Sequence, residues 1–231
     1  MANFKTHINT AIIGSGLASA ALLSTNHIGF NHAIWLWFLG TIGGLLPDID
    51  SDNSTSLDTI FGILTLSTVL ISVRFISHAI FQEPRFIELI ATAITVYGMM
   101  RLIVRPLFEH ITVHRGSCHS ILFLVLSGLI TTQLTLRLSG TDTQQVHFIA
   151  WLSGGFIFMG GMIHLLLDEI CSVDLQNVTI KRSFGTAIKL ADFSNKGITL
   201  LMIIAVSVLI YISPATEYTI KTLSNWTAFT L

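Results

Sequence analysis

VHFIAWLSGGFIFMGGMIHLLLD, residues 146–168, decides the fold. No Asp, Glu, Lys or Arg interrupts the run before Asp168, and it is long enough to cross a bilayer as a helix, which takes ~20 apolar residues. Gly154, Gly155, Gly160 and Gly161 lie inside it, and small residues let helix backbones approach closely in lipid. Six further apolar stretches flank it, at about 8–24, 32–47, 57–82, 86–108, 119–138 and 197–213. The first two are short for a full crossing. The composition agrees with lipid as the solvent. Charged residues are 11% of the 231, against ~25% in an ordinary soluble domain, while hydrophobic residues are 52% and mean hydropathy is +0.73.

These features predict an all-α, polytopic membrane helical bundle of about seven apolar segments. It forms one integral membrane domain over 1–231, with a polar loop at about 169–196. The stretch after Lys5 superficially resembles a signal peptide. It lacks a convincing small-residue cleavage site, and cleavage would remove His7, so it reads as a retained helix. Net charge is −1, which argues against bulk nucleic-acid binding. Two cysteines, Cys118 and Cys171, are too few for a disulfide framework.

Seven crossings sort the embedded polar residues. His7 starts the first stretch, and Asp48, Asp50 and Asp52 follow the second. His110, His114 and His119 lie before the fifth, and His164 and Asp168 end the sixth. All then fall on one membrane face. Lys5, Arg115, Lys181, Arg182, Lys189 and Lys196 flank that face, with Arg105 close by. Arg85, Arg137 and Lys221 flank the other. The positive-inside rule makes the polar face and the 169–196 loop cytoplasmic.

Each cluster has a chemical and a plain explanation. His164 and Asp168, four apart on a helix, stack on one face and suit zinc, manganese or iron; alternatively they bond only each other. In LLPDID (45–50), Pro47 disfavours helix at Leu46, and an extended chain would point Asp48 and Asp50 the same way. Two such carboxylates repel unless a cation or proton joins them, or they form a solvated acidic loop. In HRGSCHS (114–120), His114 and His119 flank a turn permitted by Gly116. Arg115 offers a donor fork for phosphate, and Ser120 is placed to orient a ligand or cap the fifth helix. The alternative is a surface loop with two histidines. His7 and His110 are weaker candidates, and a lone histidine at a helix start is commonly interfacial.

Together these strings resemble the YdjM-like family of membrane-bound, metal-dependent hydrolases, also called LexA-regulated inner-membrane hydrolases. The resemblance runs from His7 through LLPDID, HRGSCHS and HLLLDEICSVD (164–174) to KRSFGTAIKL (181–190), with Cys118 where Thr is typical. It implies a multi-pass protein of the bacterial inner membrane. It also implies a polar site of His7, Asp48, His114, His119, His164 and Asp168. The expected function is hydrolysis of a lipid-linked phosphoester using a divalent metal, zinc before manganese. Asp50 or Asp48 would be general base, Arg115 the phosphate clamp, and Lys181 and Arg182 would attract anionic headgroups. Two rivals are a metal-ion or proton transporter, and a structural protein whose metal staples helices.

Overall fold

The computed structural model describes residues 4–50, 55–75, 85–107, 117–171, 173–174, 179–180 and 188–225. The chain divides into two compact units, 1–47 with 117–231, and 48–116. The architecture is all-helical, as the sequence predicts.

In the first unit, α1 (Phe4–Ser24) and α2 (Phe30–Gly43) pack with α5 (Ile121–Ser139), α6 (Gln144–Ile170), α7 (Lys196–Tyr211) and the short α8 (Glu217–Ser224). The second unit pairs α3 (Thr55–Phe75) with α4 (Phe86–Met99), which continues through a π-helical stretch, Met100–Val104. Each apolar stretch carries a helix. Among the described residues, however, only α1, α4 with its extension (Phe86–Leu107), α5 and α6 are both long and apolar enough to span a membrane. Leu57–Leu70 within the 21-residue α3 is a shorter apolar run among the described residues, and α2 and α7 have 14 and 16 residues. Part of the expected polar loop forms a minimal antiparallel pair, Val173–Asp174 with Thr179–Ile180.

The helix ends follow local chemistry. Ser120, Thr143 and Asn195 accept backbone N–H bonds from Phe123, Val146 and Ile198, capping α5, α6 and α7. Gly140 follows α5 at φ 67, a left-handed conformation that glycine adopts without a Cβ penalty. Pro47 departs from expectation. The segment Leu46–Asp50 is a 3₁₀ turn rather than an extended chain. The bias against helix at the residue before proline is overridden at Leu46, and the fixed φ and missing N–H of Pro47 suit the first turn of a helix. Positions 48 and 50 therefore do not align as they would in a strand.

Helix α6 is the centre of the first unit. Leu36 and Leu39 of α2 pack against Phe148, Leu152, Phe156 and Ile157 of α6, and Leu22 of α1 joins the same core. On α1, His7, Ala11, Ser15 and Ser19 form a buried stripe at four-residue spacing. This stripe puts His7 on the packed face rather than at the lipid interface. On the other side of α6, a Cβ built on Gly154 would meet the hydroxyl of Thr132 and the carbonyl of Gly128 on α5. Helix α8 closes the end of the unit where α6 begins. Tyr218 meets Phe148 edge-on, the Trp151 indole donates to the Pro214 carbonyl at 3.2 Å, and a His27 ring nitrogen lies 3.0 Å from the Thr222 carbonyl.

In the second unit, Arg105 pairs with Asp58 at 2.6 Å, and the Arg101 guanidinium lies over Gly62.

Candidate metal centre

At the other end of the first unit, the start of α1, the end of α2, the segment before α5 and the last turns of α6 converge. Asp168 lies at their meeting point. His7 Nε2 is 3.3 Å from its Oδ1, while His164 Nε2 and His119 Nε2 are 3.8 and 4.0 Å from its Oδ2. The rings of His7 and His164 stack with centroids 3.7 Å apart, and His119 stands edge-on to His164. All four residues are buried, with exposures of 2% for His7, 5% for His119, 1% for His164 and 5% for Asp168.

Placing these residues takes little from the sequence beyond helix periodicity and one cap. The i, i+4 spacing on α6 brings His164 and Asp168 to the same face, as expected. His119 is held by the start of α5. Ser120 caps that helix while donating to the Ser117 carbonyl at 2.6 Å, and the N–H groups of Ile121 and Leu122 bond to the carbonyls of Lys189 and Leu190.

The donor set fits a divalent cation. Suitable atoms of His119, His164 and Asp168 all lie within 4.8 Å of one another. Two ligands of one tetrahedral ion, each ~2.0–2.1 Å from it, are separated by roughly 3.4 Å. His164 is also in the right tautomer. Its Nδ1 lies 2.7 Å from the Gly44 carbonyl, which can only accept, so Nδ1 carries the hydrogen. The same hydrogen bond turns Nε2 toward Asp168, at 3.8 Å and beyond ordinary hydrogen-bond reach, where an unprotonated nitrogen could ligate a metal. Burying a carboxylate costs several kcal/mol without compensation. A divalent ion at this point would offset that cost. His7 Nδ1 is buried with no hydrogen-bond partner among the described residues, which leaves a second imidazole with donor capacity at the centre.

A family model described as "YdjM inner membrane protein" matches residues 1–229. The chain belongs to the YdjM inner membrane protein family. No curated protein and no solved structure matches it. Membership in the YdjM family sets the four-residue cluster in a membrane protein, where ionisable groups among apolar helices are rare and costly to bury unpaired.

Of the other sequence candidates in this YdjM-family chain, Asp48 is half-buried in the 3₁₀ turn and opens the second unit. For Asp50 only the backbone, in the same turn, is described. His110, His114, Arg115, Lys181, Arg182 and Asp52 lie outside the described residues. Cys118 is buried and Cys171 half-buried, neither in a disulfide.

Sequence reasoning missed Asp192. This buried carboxylate accepts from the backbone N–H and the hydroxyl of Ser194 and from the Ser117 hydroxyl, while its own carbonyl accepts from Thr199 at 2.5 Å. It thereby ties the segment before α7 to the strand of chain that carries His119. The Ser194 hydroxyl bond holds its carboxyl below the usual value; Lys189 and Ser117 act in the same direction, against the effect of burial. A depressed folded-state pKa stabilises the fold above the unfolded pKa, and this contribution disappears as pH falls through the folded value. Asp192→Asn is therefore expected to cost about 1 kcal/mol at neutral pH, the margin between charged and neutral hydrogen bonds. The melting-temperature gap between wild type and variant should close on acidification below the normal carboxylate range. A gap independent of pH would show that the charge contributes nothing.

Proposed function

We propose that the protein is a membrane-bound, metal-dependent hydrolase acting on a lipid-linked phosphoester at the cytoplasmic face of the inner membrane. One observation carries this reading: a buried carboxylate, Asp168, faces the ring nitrogens of three histidines, one of them held by a backbone carbonyl in the metal-binding tautomer. His119, His164 and Asp168 would hold the ion, with His7 beside them. Asp48 and His114 complete the ligand set by their place in the sequence motifs.

A divalent ion held there would supply Lewis acidity, for activating water and polarising a phosphoryl oxygen. Zinc suits the nitrogen and oxygen donors best, with manganese next. Asp50 takes the proton of the attacking water. Arg115 holds the phosphate in its planar fork, and Lys181 and Arg182 draw anionic headgroups to the face. In the first unit, Lys5 and Lys189 lie at the end that holds the cluster, and Arg137 and Lys221 at the other, which supports a cytoplasmic cluster.

Burial favours a second reading. A site whose four residues are all 5% exposed or less resembles a closed structural centre that staples α1, α5 and α6. The test is metal analysis of protein purified without chelator, followed by hydrolysis assays on a panel of lipid phosphoesters. One equivalent of zinc or manganese with turnover is expected. Bound metal without turnover on any substrate would leave the staple, and no metal would remove both readings. Orientation has its own test. Cysteines placed in 175–195 should react with an impermeant maleimide only after the membrane is opened, and labelling in intact cells would put the cluster on the outer face.

A further inference from the structure

We infer that the Gly44 carbonyl is a positioning group of the metal centre, held against His164 by direct backbone contact between α2 and α6. This rests on the metal reading above and adds to it a part of the site with no side chain.

Three observations meet here. First, α2 ends at Gly43, so the carbonyls of its last turn are released from the helical ladder and need other donors. The Gly44 carbonyl takes one from His164 Nδ1 at 2.7 Å, across 120 residues of sequence. Second, Gly160 lies one turn before His164 on α6. A Cβ there would fall on the Gly40 carbonyl oxygen and come within 2.8 Å of the Gly44 nitrogen. These are backbone atoms and cannot rotate aside. Third, Gly44 is equally confined from α1, because its own Cβ would meet that of Ala11, one turn from His7 on the buried stripe. The separation of α2 from α6 is thus set at van der Waals contact within one turn of the histidine whose tautomer it fixes.

Outer-sphere partners of ligating histidines fix ring orientation and tautomer, and losing one typically costs ~10–100-fold in metal affinity. Here the outer partner is main chain, so it can be removed only by moving the helix. Gly160→Ala does that. Two variants on α6 serve as controls. Gly155 has open space where a Cβ would go, so Gly155→Ala should be silent. Gly154→Ala creates a comparable clash, but against α5 and roughly 15 Å along the helix from His164.

The experiment titrates the full-length protein in detergent with Co²⁺, whose visible spectrum reports coordination geometry. Gly160→Ala should bind ~10–100-fold more weakly than wild type, with an altered spectrum. Gly154→Ala should melt earlier but keep wild-type affinity and spectrum. If Gly160→Ala binds like wild type while His164→Ala does not bind, the positioning role is overturned and the metal centre stands. A wild-type protein that binds neither Co²⁺ nor Zn²⁺ overturns both. Should Gly160→Ala fail to fold, ¹⁵N NMR of histidine-labelled wild type decides: His164 should carry its proton on Nδ1 in the metal-free protein, and an Nε2-protonated neutral ring overturns the inference.

Discussion

His164→Ala is expected to bring the metal content of the purified protein to background, with affinity falling by more than the ~100-fold that outer-sphere changes reach. The ring is fully buried, its Nδ1 is committed to the Gly44 carbonyl, and its Nε2 faces Asp168. The loss also leaves the Gly44 carbonyl without this donor and opens space against the stacked ring of His7. A fall in melting temperature should accompany the metal loss, and added zinc should not restore it. Elemental analysis and thermal melts, each with and without zinc, check both. A variant retaining a full equivalent of metal would remove His164 from the ligand set.

Asp50→Asn is expected to behave in the opposite way. On the proposed mechanism this removes the general base, a loss that typically costs ~10²–10⁴-fold in turnover, while an amide of the same shape disturbs the fold little. The variant should therefore retain metal and melting temperature and lose activity. Arg115→Ala should chiefly raise KM, because a phosphate clamp acts on the bound substrate before the chemical step. Kinetics on a lipid phosphoester, with metal content measured on the same preparations, separate the cases. If Asp50→Asn turns over at the wild-type rate, Asp48 becomes the candidate base. If all ligand variants only melt earlier and no substrate is cleaved by wild type, the centre is a staple.

The parts of this molecule legible in its sequence are those governed by periodicity. The pairing of His164 with Asp168 follows from a four-residue step on one uninterrupted helix, and Ser120 as a cap follows from its place before an apolar run. His7 was ambiguous, because one histidine at a helix start reads equally well as interfacial. The buried stripe His7, Ala11, Ser15, Ser19 resolves it. Each apolar stretch read by hydropathy carries a helix, but among the described residues four of these helices are long and apolar enough to span, so the count of about seven crossings is not confirmed. The 3₁₀ turn at Leu46–Asp50 went unforeseen because proline restricts the residue before it yet is itself compatible with a helical first turn. The Gly44 carbonyl had no signal at all, since every residue carries one and only packing decides which is free to accept. Asp192 looked like any acidic residue in a polar loop, and its partners Ser117 and Thr199 are distant in sequence or belong to a different element.

The shortness of α2 also bears on the surrounding lipid. Fourteen residues rise about 21 Å, against about 40 Å for the 27-residue α6 and about 30 Å for the hydrocarbon core. Because Gly44 is level with His164 rather than with the end of α6, the two helices do not stop at the same height. A hydrophobic segment shorter than its bilayer is accommodated by local thinning. Headgroups should therefore dip along the α2 flank, carrying phosphates and water down toward the depth of the histidines. The proposed hydrolysis should then respond to acyl-chain length, falling in bilayers too thick and stiff to dimple around α2.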